Sequence, residues 1–322
     1  MLRTNLSDLV GMNAPVIQAG MSTFTSPKLA AAVSNAGGLG SLGAWQRPAE
    51  QLRRDLDELR AATDRPFAVN HVVPDLDPSG FELTLEVAPA VVSFALDDAR
   101  DLVKRVHDVG SLVMQQVTTV DQAVAAVEHG ADIVVAQGGE AGGYGGSVAT
   151  LALVPQVVDA VSPIPVVASG GIADGRGLAA VLVLGAAGVN LGTRFLACDE
   201  SPVGDVWKKS IIGSSSQSWV QLDFLNDLRP NPGTIGYETR VRALRTEFTD
   251  RWQLRRDELR VDPRAALAEF AQAAAEGKLE EILVVGGQSA GLIDEILSVA
   301  EIVGMLVSQA EEALADASSV VS

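Results

Sequence analysis

The chain has 322 residues, with 24 Lys and Arg against 41 Asp and Glu, a formal charge of −17. That balance argues against a nucleic-acid partner, which needs a basic face to release counterions from phosphates. Hydrophobic residues at 47% and charged residues at 20% exclude a disordered chain. A single cysteine, Cys198, excludes an intrachain disulfide framework and a cysteine-based zinc site, and fits a reducing compartment, so the expected location is the cytoplasm.

The first residues, MLRTNLSDLVGMNAPVIQ, lack the apolar core of a signal peptide. Short apolar runs then recur, each closed by Gly or polar residues. They are Pro15–Gly20, Leu39–Ala44, Phe67–Val73, Val91–Phe94, Leu112–Val117, Ile133–Gln137, Pro165–Ser169 and Val189–Phe195. They start about every 25 residues, the length of a βα unit with short loops. The segments between them, Ser26–Ser34, Asp97–Val109, Thr119–Glu128 and Leu151–Val161, carry apolar residues at helical spacing, with Thr118 or Thr119 placed to cap the third. Low aromatic content, at 4%, and 31 glycines suit buried parallel strands between Ala-rich helices. The expected fold is α/β, a (β/α)8 TIM barrel. A doubly wound open sheet is the alternative, although it usually needs fewer consecutive units. The longest uncharged apolar stretch, Leu178 to Gly192, is too short to span a bilayer, so no membrane partner is expected.

Residues 1–206 are read as the barrel. From Trp207 to Leu279 the chain is charge-rich and carries three of the four Trp, with a break at Arg229–Tyr237 (RPNPGTIGY), and residues 207–279 are read as a small helical or α/β insertion domain. Residues 280–322 turn apolar again, contain GGQSAGLI at Gly286–Ile293, and are read as a return to the barrel.

Barrel enzymes work at the carboxyl ends of the strands. Gly170 and Gly171 after the seventh run, and Gly192 and Thr193 within the eighth, can bring backbone N–H groups to an anion. A helix starting near Asp174 or Gly175 adds its dipole, and the expected ligand is a phosphate. At other strand ends stand amides, Asn70, Gln116 and Gln137, suited to the edge of a flat heteroaromatic ring or equally to internal hydrogen bonds. Of the three histidines, His107 and His129 fall on or just after helices and are expected to face solvent. His71 alone stands at a strand end. No HExxH, paired-Cys, EF-hand, GxxxxGK[ST] or GxSxG spacing occurs, so neither a metal site nor a serine nucleophile is expected.

The strings PVIQAGM, LAAAVSNAGGLGSLG, FAVN, VVAQGGEAGGYGG, ASGGIADGRG, LGTRFL and GGQSAGLI, in this order over nearly the whole chain, resemble the motifs of the nitronate monooxygenase family, formerly 2-nitropropane dioxygenases. Several are shared with flavin-dependent enoyl-acyl carrier protein reductases. The resemblance implies an FMN-binding barrel with a smaller domain over its mouth. It places Met21 against the flavin, Asn70 and Gln137 in hydrogen bonds to it, Gly142 at its border, and Gly170, Gly171, Gly192 and Thr193 at the phosphate, and Gly20 and Gln116 are read as further cofactor-binding positions. It further implies oxidation of alkyl nitronates with O2 to a carbonyl compound and nitrite.

Two positions depart from the pattern. Where the family has a histidine base after AGG, this chain has Tyr144, and where some members have lysine it has Gln116. A phenol of pKa near 10 is a poor base at neutral pH but can donate a proton. Three outcomes are expected to compete. The chain could oxidise only preformed nitronates, reduce an enoyl-type substrate with NAD(P)H and Tyr144 as proton donor, or serve as a flavin-binding relative without this chemistry. Tyr144 packing between barrel and second domain is the plainer alternative, and His71 is the substitute base. Arginines at 229, 240, 242, 245, 251, 255 and 256 form either a solvated mixed-charge face or a patch for an acyl carrier protein. The composition also admits a homodimer.

Overall fold

The computed structural model describes residues 2–228 and 240–319, so the Arg229–Tyr237 break lies outside the described residues. The strands in chain order are β1 (Val16–Gln18), β2 (Gly40–Gly43), β3 (Phe67–Val72), β4 (Val91–Ala95), β5 (Leu112–Val117), β6 (Ile133–Gln137), β7 (Gly143–Gly145), β8 (Val166–Ser169), β9 (Gly188–Leu191), β10 (Trp219–Leu222) and β11 (Arg240–Leu244). Eight of them pair in parallel in the order β1-β9-β8-β6-β5-β4-β3-β2. The first and last strands of that order meet through a parallel bridge between Ile17 and Leu39. There Gln18 N–H donates to Leu39 O at 2.9 Å and Leu39 N–H to Val16 O at 2.9 Å. A parallel sheet whose edges meet is a barrel, and the open-sheet alternative is excluded.

All eight apolar runs are strands, most of them shorter than expected. The largest difference is at the eighth run, where β9 ends at Leu191 and Thr193–Leu196 has already turned into helix. The outer helices begin where capping chemistry starts them. Ser26 Oγ accepts from Leu29 N–H at 3.2 Å ahead of the helix Pro27–Asn35, and Thr119 caps Val120–Glu128. Asp174, whose side chain accepts from Gly177 N–H at 3.1 Å, caps Gly175–Val183.

Strand alternation separates two environments. Residues such as Val92, Phe94, Val113 and Val134 face the helices and form the main core with Leu29, Val106, Leu153 and Leu178. Ile17, Leu39, Ala68, Val91, Met114 and Val135 face inward and are sealed from below by Leu6 and Val10 of the helix Asn5–Val10. Burying each large aliphatic side chain contributes about 1.5–3 kcal/mol. This double layer therefore fixes the strand ends above it.

A second sheet has the order β10-β11-β7, all antiparallel. Two of its strands, β10 and the central β11, lie in the chain after the barrel, but β7 belongs to the loop that follows β6. Leu222, Phe224, Val241, Phe248, Trp252 and Leu259 form the core beneath it. The helix Val299–Ser319 packs on Gly175–Val183, with Gln309 Oε1 accepting the Gly175 N–H at 3.1 Å. Among the described residues, no helix is long and apolar enough to cross a membrane.

Candidate active site

At the carboxyl end of the bore the inward residues change from aliphatic to polar and uncharged. Gln18, Ser41, Asn70, Ser93, Gln116 and Asn190 surround a cavity of about 30 Å³ floored by Met114 and Val135. Asn70 Nδ2 donates to Ser93 Oγ at 2.8 Å, and Gln116 Nε2 to Gln137 Oε1 at 2.8 Å. Gln18 Oε1 accepts the Ser41 N–H at 3.0 Å. Ser41 Oγ and Asn190 Oδ1 are buried without a hydrogen-bond partner in the protein. Two orphaned buried polar atoms beside a row of neutral amides fit the polar edge of a bound ring. Gly20 brings the β1 end against this row. A Cβ there would lie 2.2 Å from Asn70 Cβ, so no larger residue fits without moving Asn70. Met21 lies beside Gly192, whose added Cβ would come within 3.2 Å of Met21 Sδ.

The glycines expected at a phosphate fall on neighbouring strands. Ser169 of β8 pairs with Asn190 of β9, so Gly170–Gly171 and Gly192–Thr193 emerge side by side. Gly170 and Gly171 have φ of +106° and +73°, a conformation that L side chains rarely adopt. Thr150 Oγ1 fixes this turn by donating to Gly170 O at 2.9 Å. The Thr150 N–H in turn donates to the Glu140 carboxylate at 2.9 Å. Thr193 Oγ1 accepts the Gly287 N–H at 2.8 Å, and Gly142 packs so closely on Gly286 that a Cβ would be 2.5 Å from its carbonyl carbon. The Gly286–Ile293 motif thus closes over the ends of β6 and β9.

Tyr144 is half-buried in β7, paired with Val241, and its ring meets Trp45 edge-on at a centroid distance of 6.5 Å. Both line a cleft of about 790 Å³ with Arg47, His71, Asp75 and Asp77. Arg47 is committed elsewhere: it forms a buried pair with Asp55 and donates to Gly43 O and Thr25 O, both at 2.9 Å. Asp75 accepts from Trp45 Nε1–H at 3.1 Å, and Asp77 caps the helix Pro78–Val87.

His71 is adjacent to Asn70 in sequence but on the other face of β3, because successive side chains alternate. It is 3% exposed, with ring contacts to Phe81 and Phe94 at 5.5 and 6.2 Å. Thr84 Oγ1 donates to Gly80 O at 3.0 Å, so His71 Nε2 is the donor in its 2.9 Å contact with Thr84. Burial pushes its pKa down to about 4, against the raising effect of Asp77. The structure therefore brings Gly20, Met21, Asn70, Gln116 and Gln137 together, sets the phosphate-type glycines on adjacent strand ends, and leaves His71 a neutral ring wedged against the helix. His107 and His129 lie partly exposed, at 2.8 Å from Asp132 and Asp98. Ser41, Ser93 and Asn190 were missed by sequence reasoning. The available signal was a small polar residue inside an apolar run, at an inward-facing parity.

The arginines after the barrel are mostly balanced one by one. Arg240 pairs with Asp223 at 3.0 Å, Arg251 with Glu269 at 2.5 Å, Arg255 with Glu258 at 2.6 Å, and Arg256 with Asp227 at 2.5 Å. This is a mixed-charge face. Arg229 lies outside the described residues, and Arg242 is turned to backbone carbonyls.

The nitronate monooxygenase family model matches residues 3–82 and 77–309. The chain belongs to the nitronate monooxygenase family. This is a family of flavin-dependent oxidoreductases, the class expected from the motifs. A probable nitronate monooxygenase of Staphylococcus saprophyticus is 35% identical, over 68% of this chain and 75% of that protein. A (3aS,4S,5R,7aS)-5-hydroxy-7a-methyl-1-oxo-octahydro-1H-indene-4-carboxyl-CoA dehydrogenase of Rhodococcus jostii is 42% identical, over 67% of this chain and 61% of that protein. The chain thus matches about three-fifths of the length of that relative. Among solved structures, FabK from Thermotoga maritima superimposes with a TM-score of 0.89 at 35% identity, covering all of both chains. Nitroalkane oxidase from Streptomyces ansochromogenes superimposes with a TM-score of 0.79 at 29% identity, covering 96% of this chain and 98% of that one.

Proposed function

We propose that this family member is an FMN-dependent oxidoreductase acting on an unsaturated acyl thioester, with Tyr144 as the proton donor. The observation that carries this reading is the cleft under Tyr144. It offers a phenol, two rim carboxylates and, among the described residues, no free cation, since Arg47 is held by Asp55 and burial keeps His71 neutral at pH 7. A nitronate anion meets no opposite charge from these residues, and the two carboxylates that a neutral nitroalkane would meet are engaged, Asp75 by Trp45 Nε1–H and Asp77 by the N-terminus of the helix Pro78–Val87. An uncharged acyl group that must receive a proton suits both features. The dehydrogenase of Rhodococcus jostii, named for a carboxyl-CoA substrate, supports the thioester class.

FMN, when bound, supplies the two-electron exchange with the substrate, and a reduced nicotinamide is the electron source. Asn70, Gln116 and Gln137 orient its ring with hydrogen bonds that carry no net charge, while Gly20, Met21 and Gly142 leave space for it. The N–H groups of Gly170, Gly171, Gly192 and Thr193 are the donors for the phosphate. The Tyr144 hydroxyl gives its proton to the carbon next to the thioester carbonyl and recovers one from solvent. Trp45 packs beside the reacting group and excludes water.

The second reading is the family's own: oxidation of preformed alkyl nitronates with O2 to a carbonyl compound and nitrite. The relative from Staphylococcus saprophyticus favours it. One anaerobic experiment separates the two. NADPH should bleach the yellow protein and crotonyl-CoA should restore its colour, with propyl-2-nitronate giving no change. A spectral change with nitronate alone, and none with NADPH, would replace the first reading by the second.

A further inference from the structure

The loop that carries Tyr144, residues 138–146, reads GGEAGGYGG, six glycines in nine residues. Such a segment loses more backbone freedom on ordering than any other composition and has almost no side chains with which to order itself. Its shape has to be imposed from outside. We propose that Arg242 is the positioning residue of Tyr144, holding this loop in the form that turns the phenol into the substrate cleft. The inference rests on the reading of Tyr144 as proton donor.

The geometry is that of a clamp. Arg242 Nε and Nη2 both donate to Gly139 O, at 3.1 and 2.6 Å, and Nη1 donates to Trp219 O at 2.6 Å. One side chain thus joins the start of the loop to the outer strand of the small sheet. The backbone of the same residue pairs with Gly143, and its neighbour Val241 pairs with Tyr144. Guanidinium and main chain therefore grip the loop on both sides of Glu140.

Arg240, in the same strand, is an instructive contrast. Exposed and paired with Asp223 at 3.0 Å, it behaves as a surface arginine. Arg242 is half-buried, and among the described residues no carboxylate lies within ion-pair distance of it. A cation that keeps its charge out of water and directs it at main-chain carbonyls is doing what a planar five-donor fork can do and an ammonium cannot. The loop is also tied by Gly138 N–H to Ser169 O at 2.8 Å, Gly139 N–H to Val148 O at 2.7 Å, Thr150 N–H to the Glu140 carboxylate at 2.9 Å, Gln288 N–H to Glu140 O at 2.9 Å and Gln221 Nε2 to Gly146 O at 3.0 Å, but among these contacts Arg242 alone joins it by both side chain and strand pairing.

The test uses the FMN-loaded full chain. The sequence has two tyrosines, so a Tyr237→Phe background labelled with 13Cζ-tyrosine gives one resonance, that of Tyr144. In Arg242→Met the line should move toward the free-tyrosine position, and kcat should fall about 10- to 100-fold, the range expected for misplacing a reacting group by about an ångström. KM for the acyl thioester and FMN content should stay within about twofold, and Arg242→Lys, which keeps one bond at most, should lie between parent and Met variant. An unmoved line in Arg242→Met overturns the proposal whatever the rate does. So does a variant in which kcat, FMN content and melting temperature all fall together, because that pattern is loss of fold. Tyr144→Phe run in parallel keeps the two claims apart: an unchanged kcat there sinks the catalytic reading of Tyr144, while the resonance still reports on Arg242.

Discussion

The floor and the roof of this site are built by opposite means. The floor consists of polar side chains on strands, where the barrel core beneath fixes every Cα and the pleat decides which residues look inward. The roof is a glycine-rich loop whose one large side chain is aimed by pairing with β11 and by the guanidinium of Arg242. Local sequence specifies the floor, and contacts with residues distant in the chain specify the roof. Damage to the floor should therefore appear first as lost cofactor, and damage to the roof as lost chemistry with the cofactor still in place.

The sharpest test of that division is Tyr144→Phe. It should lower kcat about 10²- to 10³-fold in stopped-flow reoxidation by enoyl-CoA, the usual share of a general acid, with FMN content unchanged. Gly20→Ala attacks the floor instead. Its Cβ falls 2.2 Å from that of Asn70, so purified protein should be colourless and destabilised by about 1–3 kcal/mol, read by visible absorbance and urea titration. A yellow, fully stable variant would break the comparison.

His71 supplies a pH signature of the barrel wall. Its folded pKa of about 4 lies below the ordinary 6.5, so the unfolded chain binds the extra proton between those values. The contribution is fully present above pH 6.5 and is lost as pH falls toward 4, about 3 kcal/mol in all. Urea midpoints at pH 7 and pH 4.5 should show this loss, and His71→Gln should reduce it. The smallest effect is expected far from both floor and roof. Arg255→Ala, which removes an exposed partner of Glu258, should leave melting temperature and turnover where they were.

How much of this was readable in advance follows the same line. The barrel strands were legible because each buries aliphatic side chains on both faces and so appears as a short apolar run. Asn70, Gln116 and Gln137 were legible because an amide stands out among the apolar residues of a run. Ser41 and Asn190 were hidden inside the runs, where only inward parity marks them. His71 follows Asn70 in sequence, but the strand pleat sends it to the opposite face, against Phe81, Phe94 and Thr84, and a strand-end position alone does not show this. The strand β7 had no signal at all: Gly-Tyr-Gly has poor strand propensity, and its conformation comes from a partner strand read much later in the chain.

The helix Val299–Ser319 gives the molecule an order of assembly. It covers the helix Gly175–Val183, which begins at the phosphate-type glycines, so tightly that a Cβ on Gly175 would lie 2.4 Å from Gln309 Cβ. During synthesis that surface emerges long before its cover does. A nascent chain that extends past Leu191 but stops short of Val299 has all eight barrel strands yet leaves the apolar side of this helix uncovered by Val299–Ser319. A chain cut before Val299 should therefore lose the support under the turn that leads into this helix, read as a lower melting temperature and weaker visible absorbance than the parent.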